Sequence, residues 1–228
     1  MVGQNIERLF GDEILKYYVS FVAALLYIIF IQKEVSSKDF VTETAPSKDV
    51  DYKIITLNYD TVIEDAIDFI NNNFCASYNL PIAKLHGSVD AKIVPPTWNK
   101  TYISGIENAW RNAAEWLSKA NEIRILGYSL PKTDINIKHL LGTSLVESVG
   151  LQHINVICHD SGGLVKPRYD ELFCFPNYIF FNGDILNYLN FFYGRPSSSP
   201  PYRTGFFDPE KCHTNWLSTA GNMQTRSF

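Results

Sequence analysis

Cysteine is scarce and never arranged for chemistry. The four cysteines of the 228-residue chain, at positions 75, 158, 174 and 212, form no C-x-x-C pair. That speaks against a zinc ribbon, and the spacing traces no disulfide framework. The chain therefore reads as a protein of a reducing, cytoplasmic compartment. A basic run is missing too. Lys and Arg number 20 against 24 Asp and Glu, a formal charge of −4, with a pI near 5.7. That balance gives no electrostatic reason to expect a nucleic-acid partner. A membrane span of about twenty apolar residues is also lacking. The stretch Tyr17–Ile31 is fifteen residues long, interrupted by Ser20 and bounded by Lys16 and Gln32-Lys33-Glu34. It is expected to be a buried core helix within residues 12–34, with a membrane segment as the alternative. Its amino-terminal side has no signal-peptide character. Without a secretory signal, the sequon Asn99-Lys100-Thr101 reads as chance. No internal repeat is visible.

What is present describes an ordinary globular protein: 46% hydrophobic residues and 14% aromatics, in a length that suits one domain with at most a small appendage. The centre of the pattern is Ile54-Ile55-Thr56-Leu57-Asn58-Tyr59-Asp60. Apolar and β-branched residues lead to Leu57, and the chain turns polar at Asn58 and Asp60. Behind them Val62, Ile63, Ala66, Ile67 and Ile70 recur at helical spacing. This is a buried strand, a polar turn and an amphipathic helix that Asn71-Asn72-Asn73 should stop. Asn58 and Asp60 suit two roles, as turn and cap residues or as polar groups at a strand's carboxyl end, where open α/β sheets bind ligands.

The pattern repeats along the chain. A short strand over 80–85 ends in His86-Gly87-Ser88, and the proline-stiffened loop Pro95-Pro96-Thr97-Trp98-Asn99-Lys100 follows. A helix is predicted over 106–120, then a strand Ile123–Leu126 ending in Gly127-Tyr128-Ser129-Leu130-Pro131. A helix over 134–149 leads to a strand 154–158 that ends in His159-Asp160, then a helix near 164–173, a strand 178–181 and a helix 184–192. Strands alternating with helices predict an α/β fold with a Rossmann-like parallel sheet and helices on both faces. Residues 1–195 form that domain in this reading, with 1–50 as a helical, divergent amino-terminal part and 35–50 as a surface loop. Residues 196–228, opening with a Pro/Ser stretch, are expected to pack loosely. Strand ends of a parallel sheet share one edge, so Asn58/Asp60, His86-Gly87-Ser88 and Gly127-Tyr128-Ser129 can converge there. A lone histidine is more often a satisfied surface or core residue. One followed by Gly-Ser at a strand end, opposite Asn and Asp, is a better site candidate.

These segments carry a family resemblance. Thr56-Leu57-Asn58-Tyr59-Asp60 resembles the T-x-N-x-D segment of sirtuins, Lys84-Leu85-His86-Gly87-Ser88 resembles their L-H-G-S segment, and Ile125–Leu130 resembles the later strand-Gly-x-Ser turn. Tyr59, the Pro95-Pro96-x-Trp98-x-Lys100 loop and Gly-Tyr-Ser-Leu-Pro are more like the bacterial SIR2-like domains, NAD-consuming effectors of antiphage defence. The resemblance covers about residues 50–160. It implies binding of NAD as substrate and cleavage of its nicotinamide–ribose bond, without zinc, by a protein working as a homo-oligomer or with an effector partner. By resemblance, Asn58 orients the ribose and the attacking water, and His86 accepts a proton. Asp60 lies near the carboxamide, Gly127 and Ser129 contact the adenosine half, and Thr56, Gly87, Ser88 and Tyr128 complete the pocket. His159-Asp160 would adjoin the adenine ribose.

Two departures qualify what carries over. No four-cysteine module is present, so protein deacylation is not expected. No Gly-Ala-Gly-x-Ser loop appears; the amino terminus offers only Met1-Val2-Gly3 and Phe10-Gly11-Asp12. Either the first βα unit is lacking or a divergent segment replaces it, and pyrophosphate binding at a helix amino terminus is weakened. A catalytically silent NAD- or nucleotide-binding sensor or scaffold is therefore the alternative. A third reading, a nucleophile elbow at Ser129, needs glycine where Pro131 stands.

Overall fold

The structure is a computed structural model that describes residues 13–32, 40–44, 51–74, 76–90, 93, 106–193, 202–204 and 208–224. The amino-terminal Met1–Asp12 segment, Cys75, the Pro95–Lys100 loop and Pro196–Pro201 lie outside the described residues, as do 33–39 and 45–50. In chain order the elements are α1 (Glu13–Leu25), β1 (Ile28–Gln32), β2 (Phe40–Thr44), β3 (Ile54–Thr56), α2 (Val62–Phe74), β4 (Ile82–Lys84), α3 (Glu107–Lys119) and β5 (Glu122–Leu126). They continue with α4 (Ile135–Glu147), β6 (His153–Cys158), α5 (Lys166–Leu172), β7 (Tyr178–Asn182), α6 (Ile185–Tyr193), β8 (Tyr202–Thr204) and α7 (Pro209–Gln224). The fold is α/β, with small parallel sheets flanked by helices.

The chain groups into two compact units. One, Lys53–Asp60 with Pro81–Ile185, holds the parallel strands found among the described residues. β3 pairs with β4, and β5-β6-β7 form a second sheet with β6 in the middle. The central position explains the sequence of β6: Ile154 to Cys158 are all buried, so the strand reads as a continuous apolar run rather than an alternation. One core joins these elements. Ala83 and Leu85 of the β4 region, Ala113 and Leu117 of α3, Ile123, Leu130, Leu141, Val156, Tyr169 and Phe180 belong to it. α3 places Ala113 and Leu117 one turn apart on its inward face, and Trp110 on the same helix donates its indole N–H to the Leu85 carbonyl at 3.0 Å. That bond meets the indole's need for a partner when it is partly buried.

The second unit, Met1–Tyr52 with Thr61–Leu80 and Leu186–Phe228, departs from expectation. The apolar run is not one helix. α1 ends at Leu25 and the chain re-enters as strand β1, which pairs antiparallel with β2 and β8. Tyr27 makes the break with a left-handed φ of 56°, a conformation that bulky residues rarely adopt. Beyond it Ile28, Ile29 and Ile31 are β-branched and favour a strand. The expectation of burial holds: Val19, Val22, Ala24 and Ile28 are fully enclosed. The 35–50 stretch contains strand β2 where a surface loop was expected. α2 runs on to Phe74, so Asn71–Asn73 lie inside its last turn. There Asn71 bonds both backbone groups of Tyr78, and Asn73 Nδ2 donates to the Phe69 carbonyl.

The carboxyl-terminal stretch expected to pack loosely carries β8 and the sixteen-residue α7. Cys212, His213 and Trp216 of α7 are buried. Trp216 meets Tyr188 edge-on at 5.2 Å between ring centroids, and the Tyr188 hydroxyl lies 3.1 Å from His213 Nδ1. Tyr52 donates a hydrogen bond to Glu210. Among the described residues, no helix is long and apolar enough to cross a membrane.

Candidate functional site

The parallel pairing of β3 with β4 sets their carboxyl ends side by side, and several bonds tie the two turns together. Leu85 N–H donates to the Thr56 carbonyl at 3.0 Å, Val89 N–H to the Tyr59 carbonyl at 2.8 Å, and the Ser88 hydroxyl sits 3.5 Å from that same carbonyl. The Lys84 ammonium donates to the Asp60 carbonyl. Thr56 turns its hydroxyl onto the Asn58 N–H at 3.1 Å, a local bond that shapes the exit from β3. The Asn58 and Asp60 side chains are exposed. Asp60 does not open the helix: Thr61 precedes α2, and its hydroxyl bonds Asp65 at 3.0 Å.

His86 is enclosed. Its ring, from a residue only 4% exposed, packs on the Tyr59 ring at 5.9 Å between centroids. Gly87 follows with a φ of +78°, which lets the turn close and form a bridge to Ile93. On its other side, Nε2 of His86 lies 3.9 Å from Oδ2 of Asp134. That oxygen accepts a 2.9 Å hydrogen bond from the Tyr128 hydroxyl. Burial, and then the Asp134 carboxylate, push the Tyr128 phenol far above its ordinary range, so it stays a donor. The Tyr128 carbonyl in turn accepts the hydroxyl of the fully buried Tyr169 at 2.7 Å, and Arg168 Nη1 donates to the Ser129 carbonyl at 3.0 Å.

The β5 end thus joins the His86 end through Tyr128 and Asp134. Asp134, Tyr169 and Arg168 were not singled out in the sequence as site residues, and Tyr59 was noted only for the resemblance it carries. The available signal was Asp134 itself, an acidic residue opening a helix three positions after Pro131. Gly127, at φ +69°, donates to the Ile157 carbonyl at 2.8 Å. A methyl group there would meet Ile185 at an ordinary 3.8 Å, so only the backbone conformation resists one. Gly127→Ala should therefore cost about 1–2 kcal/mol in a chemical-denaturation series, the usual penalty for a left-handed residue bearing a Cβ.

The strained non-glycine residue of this turn is Leu130, with φ 47°, and not Ser129. A nucleophile elbow places the strain on its serine, so the turn is built otherwise. The buried thiols offer no ready nucleophile either: burial raises Cys158, and raises Cys212 to about 12.

At the β6 end the two residues part. His159 is exposed, whereas Asp160 is wholly engaged in shaping the chain. Its carboxylate accepts the N–H groups of Leu164, Val165 and Lys166 at 2.8, 3.1 and 2.9 Å, and Asn182 clasps its backbone. These backbone donors, led by Lys166, hold the carboxyl below its usual range. A depressed carboxyl stabilises the fold above the unfolded value of about 4 and loses that contribution as pH falls through the lower folded value. Asp160→Asn should melt earlier than the parent at pH 7 and approach the parent's melting temperature in strong acid. Parallel curves from pH 7 to pH 2 would contradict that role.

Among the described residues, no group of three or more His, Cys, Asp and Glu is arranged to hold a metal ion. No family model, no curated protein and no solved structure matches the chain.

Proposed function

We propose that this chain is an NAD glycohydrolase, cleaving the nicotinamide–ribose bond to give nicotinamide and ADP-ribose. The observation that carries the reading is the pairing of an exposed Asn58 with an enclosed His86 at adjacent parallel strand ends, the imidazole flanked by a buried carboxylate. Breaking the glycosidic bond builds oxocarbenium character on the ribose. Catalysis then consists of fixing the sugar and orienting water or a hydroxyl by hydrogen bonds. Asn58 has an exposed amide for that orientation, and an imidazole titrates in the range where it can take a proton at neutral pH. Thr56, Asp60, Gly87, Ser88, Gly127, Tyr128 and Ser129 would line the NAD pocket. The same reading makes the protein a cytoplasmic antiphage effector, acting as a homo-oligomer or with a partner protein.

The second reading is a nucleotide sensor or scaffold that binds NAD without cleaving it. The enclosure of His86 at 4% exposure favours it. Incubating the purified protein with NAD and separating the products by chromatography discriminates the two. Nicotinamide and ADP-ribose in equal amounts support the enzyme, and NAD retained intact supports the sensor. NAD neither held nor cleaved rejects both. If the enzyme reading is right, Asn58→Ala should lower turnover on the order of 10²-fold, as loss of one orienting hydrogen bond does. An exposed position should leave the melting temperature unchanged.

A further inference from the structure

The turn after β5 is strained, and α5 holds it. Leu130 takes a left-handed φ of 47° with its side chain fully buried. A bulky residue keeps such a conformation only where its surroundings over-determine it. Two successive residues of α5 supply that hold. The Tyr169 hydroxyl donates to the Tyr128 carbonyl at 2.7 Å, and Arg168 Nη1 donates to the Ser129 carbonyl at 3.0 Å. Those carbonyls belong to the two peptide units that lead into Leu130, so both are fixed just before the strained residue. Tyr128 is held at its other end as well, where its hydroxyl donates to Asp134 at 2.9 Å. The helix is itself firmly seated. Asp160 accepts the N–H groups of Leu164, Val165 and Lys166 where α5 begins, and Asn182 bonds both backbone groups of Asp160. The β5 turn is thus tied through α5 to the ends of β6 and β7.

We propose that Arg168 and Tyr169 are positioning residues: they brace the β5 turn in the backbone form that presents Gly127, Tyr128 and Ser129 to the nucleotide, and so set its affinity rather than the rate of bond cleavage. This rests on the reading that those three residues line the NAD pocket. A turn that is already ordered costs nothing to order on binding, whereas a loosened one lowers the apparent affinity by the fraction of time it spends in the wrong form. Asn58 and His86, the catalytic pair of that reading, stand on the β3 and β4 ends and are left in place when the brace is removed.

The test begins without nucleotide, on the isotope-labelled full chain. Tyr169→Phe and Arg168→Met each remove one donor and keep most of the side-chain volume. The carbonyl-carbon resonance of Tyr128 should move in the first variant and that of Ser129 in the second. Exchange of the Gly127 amide, which bonds the Ile157 carbonyl, should quicken on the order of tenfold in both, as loss of one hydrogen bond allows. Lys166→Met removes a surface pair with Asp170 from the same helix and should leave the turn unchanged. With NAD, well below the melting temperature, the dissociation constant should rise about tenfold in both brace variants while kcat stays within about twofold of the parent. A turn whose resonances and exchange match the parent in both variants overturns the brace, whatever NAD does. A loosened turn with parental NAD affinity overturns its role in binding. An equal change in Lys166→Met overturns the assignment to Arg168 and Tyr169. If the parent itself does not bind NAD, the NAD reading fails, and a turn loosened in both variants still upholds the brace. Arg168 is only half-buried, so its variant decides the matter even where Tyr169→Phe does not fold.

Discussion

Replacing His86 with alanine is expected to reduce NAD hydrolysis by roughly 10²–10⁴-fold, the usual contribution of a positioned general base. The magnitude follows from the setting of the imidazole. It lies between the Tyr59 ring and the Asp134 carboxylate. The variant also removes one of the groups that meet Asp134 and opens a void beside Tyr59. Its circular dichroism and melting curve must therefore be compared with the parent's. His86→Gln, which fills most of the space and keeps a polar end, should be as inactive as alanine while staying closer to the parent in stability. Parent-level turnover in either folded variant would remove His86 from the reaction. Full loss in both, with folded protein, would leave proton transfer as its role.

Trp216→Ala should be the most destabilising single change in the antiparallel-sheet unit, costing about 3–5 kcal/mol. Trp216 is 4% exposed and meets Tyr188 edge-on, and Tyr188 also packs against Phe192 and His213. Removing the indole leaves a cavity bounded by rings too rigid to collapse into it. Urea unfolding measures the effect. A change below about 1 kcal/mol would mean that α7 packs loosely, as its sequence composition had led us to expect. The prediction also separates this unit from the strand ends, because no residue of the candidate site lies in it.

The contrast between the units shows what a sequence makes legible. In the parallel-sheet unit each strand is a short apolar run ending in a polar or glycine turn, and each helix repeats at 3.6 residues. The elements from α3 to β7 accordingly fall within two or so residues of their expected bounds. The run Tyr17–Ile31 has no such punctuation. Its break depends on Tyr27 taking a left-handed conformation, which nothing in the residue type announces. α7 was obscured by composition, since Trp216, His213 and Cys212 face inward from a helix whose other residues are mostly polar or small. At the site, Asn58, His86 and Tyr128 were visible as residues at strand ends. Asp134 was not, because its role depends on a side chain that leaves its own helix, and the commitment of Asp160 to α5 was likewise a matter of side-chain direction.

The central claim is that NAD is bound and cut at the ends of β3, β4 and β5. The most direct measurement is a single NMR time course of isotope-labelled protein with NAD, following protein amides and nicotinamide protons together. The account predicts early shifts concentrated at residues 56–60, 86–88 and 127–129, followed by conversion of NAD resonances to those of free nicotinamide. NAD that leaves those amides unmoved, or that is cleaved while the shifts lie elsewhere, would contradict it.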